Sequence, residues 1–177
     1  PPRSTPKPSS AASDVYKRQY DDLFEYMVNH LHLVVDYDIA ATILLTEEQQ
    51  EIFIYEVRPE EEELRKEVEQ RLLAAYHAVS GRKVDPGKLR HRLRLRKGAP
   101  TPPVKRLGSI FAVPLLVGPK EEAVGLLLVA AEREGAFTED QVRLLYTVAG
   151  QAAVSVERLR KMVAAQRRRL ESLVQNL

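Results

Sequence analysis

The amino-acid sequence predicts an α+β fold: an antiparallel sheet flanked by helices, with a long C-terminal helix that extends as a coiled coil. Three observations carry this. Strand-like segments come in two close pairs, "DIAATILLT" with "QEIFIYEVR" and "SIFAVPLLV" with "AVGLLLVAA". Segments of helical spacing lie before, between and after them. Finally, apolar residues from Val142 to Leu177 recur in alternate steps of three and four, as in a heptad repeat.

The elements follow in order. Residues 1–19 carry Pro1, Pro2, Pro6 and Pro8 with little apolar content, and read as a disordered tail. The run "SSAASDVYKRQ" reads as adapter or vector sequence rather than native protein and is set aside from the fold. From Tyr20 the pattern is helical, with Leu23, Phe24, Met27, Val28, Leu31 and Val35 on one face. Ile39, Ala41, Ile43 and Leu45 share a face of the first strand, and Phe53, Tyr55 and Val57 a face of the second. The polar "TEEQQ" between them is the turn of a hairpin. Pro59 can open the next helix, and Glu60 to Glu63 favour its positive end. Its stripe is Leu64, Val68, Leu72, Tyr76 and Val79, and Gly81 suits its C-cap.

"DPG" at 85–87 is a turn, and the strictly alternating "KLRHRLRLRK" after it is a strand. "GAPTPP" is a loop. The strands 109–117 and 123–131 are apolar on both faces, which places them centrally and covered, while Pro114 points to an edge or a bulge in the first. The last helix opens with a capping box, Thr138 with Gln141, after Phe137.

No helix breaker except Gly150 lies between there and Leu177. The seam runs Val142, Leu145, Ala149, Ala152, Val156, Leu159, Val163, Gln166, Leu170, Leu173 and Leu177. Leu144, Tyr146 and Val148 lie off it, so the first half is expected to pack on its own sheet. The second half, with Val156, Leu159, Val163, Gln166, Leu170, Leu173 and Leu177, is expected to leave the domain as a dimer seam. The alternative is an amphipathic helix folded back on its own domain. Arg160, Arg167 and Arg169 beside the seam would repel across a parallel pair. The expected organisation is therefore a tail at 1–19, a domain at 20–155 and a coiled-coil helix at 156–177.

The chemistry of the sequence is sparse. The chain of 177 residues has 44% apolar and 29% charged residues and a net charge of +2, as in a soluble globular domain. There is no apolar run of the roughly 18 residues needed to span a bilayer, so no membrane insertion is expected. With no cysteine there is no disulfide, thiolate nucleophile or thiolate metal site, as suits a reducing, cytoplasmic setting. Lys88, Arg90, Arg92, Arg94 and Arg96 share one strand face; with no aromatic residues between them the row reads as a solvated face, not a nucleic-acid surface. His91 on the opposite face, between Leu89 and Leu93, reads as a buried or boundary residue rather than a ligand. His30 and His32 point to different helix faces, and His77 stands alone, so no metal site is expected. Carboxylates fall in helix starts and turns, and no phosphate loop or nucleophile elbow occurs. No catalytic residues and no cofactor are expected.

The order of elements, and the stretches "LVVDYDIAATILL", "SIFAVPLLVGPKEEAVGLLLVAA" and "GAFTEDQVRLLYTVAGQAAVSVER", resemble the GAF domain over about residues 20–160. The resemblance implies a sensory module, regulating a histidine kinase or diguanylate cyclase in a two-component or related system. Some members bind a small molecule in a pocket over one sheet face. The signature of the cyclic-nucleotide-binding members is not matched: Phe137 is present, but no Asn-Lys pair precedes it, and Gln141 stands where acids would be. The cysteine of the bilin-binding members is absent. The resemblance thus assigns no ligand residue and leaves an unidentified small-molecule ligand open. "RRLESLVQNL" resembles the linker that leads into a PAS domain, which implies a homodimer and an output domain downstream in cis.

Overall fold

The computed structural model describes residues 8–45, 50–98 and 102–177, with backbone alone for 8–17 and Leu45. The expected tail at 1–7, residues 46–49 of the first turn and 99–101 of the later loop lie outside the described residues. The element order is α1 (Pro8–Val34), β1 (Ile39–Leu45), β2 (Gln50–Glu56), α2 (Glu62–Ser80), a 3-10 turn (Pro86–Lys88), β3 (Leu89–Leu95), β4 (Ser109–Val117), β5 (Glu122–Ala131) and α3 (Glu139–Gln175). Helix α1 starts at Pro8, not at Tyr20, which corrects the extended tail expected for residues 8–19. Proline suits the first turn of a helix, and no proline or glycine follows it up to Val34; Ala11 and Ala12 add strong helix formers.

The sheet order is β3-β2-β1-β5-β4. The β1–β2, β1–β5 and β4–β5 pairs are antiparallel, but β2 and β3 run parallel. The all-antiparallel sheet is corrected in this one pair. The chain crosses over through α2 between β2 and β3, and such a crossover returns the second strand in the direction of the first. β5 is central and buried from Ala123 to Ala131, whereas β4 is an edge strand. Pro114 is tolerated there, and the register shifts between Leu115 and Leu116.

Alternation along the strands builds two cores. Ala40, Leu44, Phe53, Val113, Leu115, Leu127 and Val129 meet α1 and α3 through Phe24, Leu31, Leu145, Ala149 and Val156. Ile39, Ile43, Ile52, Leu126 and Leu128 meet Leu64, Val68, Leu72 and Tyr76 of α2 on the other face. Val79 is the exception in the predicted α2 stripe; it is exposed at the last turn. Gly81 adopts φ 71° and its N–H donates to the His77 carbonyl, ending α2 as expected. The capping box at Thr138 and Gln141 is complete.

Candidate functional site

α1 ends and α3 begins at the same edge of the sheet, where the Glu132 N–H donates to Asp38 Oδ2 at 2.8 Å. The two helices therefore run in opposite directions along one sheet face. Tyr20, Phe24, Ala149, Ala152, Ala153 and Val156 share the core there. The α3 helix is continuous from Glu139 to Gln175, and its predicted seam divides in two. Val156 is 1% exposed, so it belongs to the domain core, and the half-buried Leu159 packs against the same core. The packing on α1 and the sheet thus reaches about one turn past the expected boundary at residue 156.

Beyond Leu159 the seam opens. Val163 is half-buried and Gln166 exposed. Leu170 is 38% exposed, Leu173 65%, and Leu177 fully exposed. Met162 and Val174, which lie beside the strict heptad steps and were not singled out by them, are exposed too. A helical spacing of about 100° per residue places both within the apolar band. Two of the flanking charges are met within the helix: Lys161 pairs with Glu157 and Arg167 with Glu171, each at 3.5 Å. Leu144 and Tyr146, expected to pack on the sheet, are largely exposed instead; Tyr146 only touches Phe111 edge-on, and Val148 alone of the three packs on the core.

The basic strand is largely solvated, as expected: Lys88, Arg90, Arg94 and Arg96 are exposed, and Arg92 alone of the row is half-buried. β3 pairs in register with β2, which puts Arg92 opposite Phe53 and Arg94 opposite Tyr55, on the side covered by α1. Arg92 pairs with Asp21 of α1 and lies 3.6 Å from the buried Glu51, with its guanidinium over the Phe53 ring. Arg94 pairs with Glu25. These arginines tie α1 to the sheet edge; Arg90 remains exposed. His91 is also exposed rather than buried, with Nε2 2.8 Å from Glu69 Oε1. His32 is the half-buried histidine, stacked on Tyr37 at 4.5 Å, and burial first, then Arg96, lowers its pKa.

A cleft of about 410 Å³ opens at the sheet end beside Asp36, Tyr37, Asp38, Arg58, Arg106, Glu132 and Arg133. Its charges answer one another: Arg58 lies 2.9 Å from Glu132 and 3.7 Å from Asp38, and it donates to the Pro102 carbonyl. Burial raises the Tyr37 pKa, so its hydroxyl stays protonated and donates to the Val28 carbonyl at 3.1 Å. It cannot serve as a base. Among the described residues no three His, Asp or Glu side chains are arranged to hold a metal, and no helix is long and apolar enough to cross a membrane.

A family model described as GAF domain matches residues 17–157. No curated protein and no solved structure matches the chain.

Proposed function

The chain belongs to the GAF domain family, a class of sensory and signalling domains, and from that premise we propose that it is an input module that dimerises through α3 and controls an output domain carried on that helix. The observation behind this reading is the exposed apolar band of Met162, Leu170, Leu173, Val174 and Leu177. That band continues without a break from the part of α3 that packs on α1. A second copy in parallel register covers it best, because a heptad seam then meets itself along its whole length. Repacking of Ala149, Ala152 and Val156 on α1 moves the free end of a rigid helix, and packed interfaces of this kind hold discrete arrangements. In this reading the domain has no catalytic turnover of its own and acts in the cytoplasm. The output is a kinase or cyclase reached through a PAS-like segment, as the linker-like wording of residues 168–177 suggests.

Cysteine cross-linking tests the proposal cleanly in a chain without cysteine. Leu173→Cys should form a disulfide-linked dimer on mild oxidation, while Ala164→Cys on the opposite side of the helix should link far more slowly. Equal rates at the two positions would rule out the parallel seam.

One observation favours a second reading, a ligand-free dimerisation or interaction domain. The sheet face under α2 is filled by its own side chains, Ile39, Ile43, Ile52, Leu126 and Leu128 against α2. A thermal-shift screen against a metabolite library separates the two. A ligand that also changes the Leu173→Cys linking rate supports the input module, and a screen without binders supports the second reading.

A further inference from the structure

Where β2 ends and α2 begins, two carboxylates are buried together. Glu56 is the last residue of β2 and lies on the face covered by α2; it is 1% exposed. Glu60 follows in the connection, with its side chain fully buried. Arg65, one turn into α2, donates from Nε and Nη2 to Glu56 Oε1 at 3.0 and 2.8 Å. Its Nε also lies 3.6 Å from Glu60 Oε1, too far for a hydrogen bond. Both Glu60 oxygens are buried and neither receives a hydrogen bond in the described structure.

The cluster sits on a chain crossing. Glu60 bridges in parallel to Val104, the Val104 N–H donates to the Pro59 carbonyl at 2.7 Å, and Val104 is fully buried. The Arg96 N–H donates to the Glu56 carbonyl at 3.0 Å. The end of β2, the start of α2 and the 102–104 segment thus meet around one guanidinium and two carboxyl groups.

One positive charge cannot balance two buried negative ones. As an anion Glu60 has no donor and faces a second anion; as an acid it is neutral and becomes a donor itself, with Glu56 as the acceptor. We propose that Glu56, Glu60 and Arg65 form a proton-binding site that latches the 102–104 segment to the start of α2. With the proton on Glu60 the latch is closed, and with the proton lost Glu60 turns outward to water and the latch loosens. Among the described residues the charged groups set against Glu60 are few. β2 offers Glu56, α2 offers Arg65, and Pro102, Pro103 and Val104 offer no charge. The next pair along α2, Glu69 with His91, lies a turn away near the surface. Burial, then the neighbouring Glu56 carboxyl, push the Glu60 carboxyl up to about 8. The latch needs neither a dimer nor an output domain, so it stands apart from the reading above.

Two measurements test it on the full chain. Carbon-13 NMR of the glutamate carboxyls should show Glu60 titrating near pH 8 in the unaltered protein. Hydrogen exchange at the Val104 amide, corrected for the intrinsic rate, should lose roughly tenfold protection between pH 7 and 9, following the ionised fraction. In Glu60→Gln, which is neutral at every pH, that protection should stay constant. A Glu60 midpoint in the ordinary carboxylate range, or unchanged Val104 protection in the unaltered protein, would overturn the proposal. Should Glu60→Gln fail to fold, the titration of the unaltered protein still decides.

Discussion

The double substitution Leu170→Asp with Leu173→Asp tests the α3 seam most directly. In the single chain Leu170 is 38% exposed and Leu173 65%, together about one whole leucine's worth of surface that a partner can cover. Burying a leucine side chain is worth about 2 kcal/mol, so losing both positions on both protomers removes about 4 kcal/mol from the dimer. That is about a thousandfold in the dissociation constant. Placing carboxylates in the seam adds a desolvation cost, so a thousandfold is the smaller end of the expected effect. Sedimentation equilibrium over a dilution series measures the constant, and circular dichroism confirms that the domain stays folded. Ala164→Asp, on the opposite side of an exposed stretch, should leave dimerisation unchanged. The same charge at the core residue Val156 should unfold the domain instead of merely separating the protomers. A double variant that dimerises within tenfold of the unaltered chain would refute the seam.

Three further outcomes follow from the packing. Gly125→Ala should lower the urea midpoint by about 1–3 kcal/mol of stability, because its Cβ would lie 2.5 Å from the Ile43 carbonyl oxygen of the neighbouring strand; an unchanged midpoint would contradict that close approach. Arg92→Gln should cost about 1–3 kcal/mol, since it removes the link between Asp21 and Glu51, while Arg90→Gln should stay within about 0.5 kcal/mol; equal effects would extend the solvated-face reading to Arg92. His32 has a pKa lowered by burial, so the unfolded chain binds its proton first and stability is lost as pH falls below 6.5. His32→Phe should keep the stacking and lose less stability between pH 7 and 5.5 than the unaltered chain does; parallel losses in urea unfolding would show that His32 is not responsible.

Periodicity made most of the fold legible. The alternation in β1 and β2 named the right faces, and Thr138, Gln141 and Gly81 marked helix ends that the structure reproduces. What the sequence hid is what depends on contacts between distant segments. The direction of β3 depends on α2 crossing the sheet, and nothing in "KLRHRLRLRK" encodes a partner strand. Its Arg92 and Arg94 show no partners until Asp21, Glu25 and Glu51 are brought opposite them. Glu60 looked like one more acid favouring a helix start, because "PEEEEL" gives no sign that α2 begins two residues later and leaves that one carboxyl inside.

The heptad repeat hid its own division for a related reason. A core stripe and a dimer seam require the same apolar spacing, so only the length of the element lying alongside decides where one becomes the other. Here that element is α1, and its side chains hold α3 as far as Leu159. A helix of 37 residues is about 55 Å long, and without a break it carries any tilt at its packed half to its free half. The residues that set that packing are small: Ala149, Ala152 and Ala153 let α1 and the sheet approach closely and present few interlocking side chains to resist a shift. The packed half and the free half of α3 are therefore one mechanical object. The arginines that tie α1 to the sheet edge limit how far that object can move, because a shift of α3 against a fixed α1 must be absorbed at those alanines.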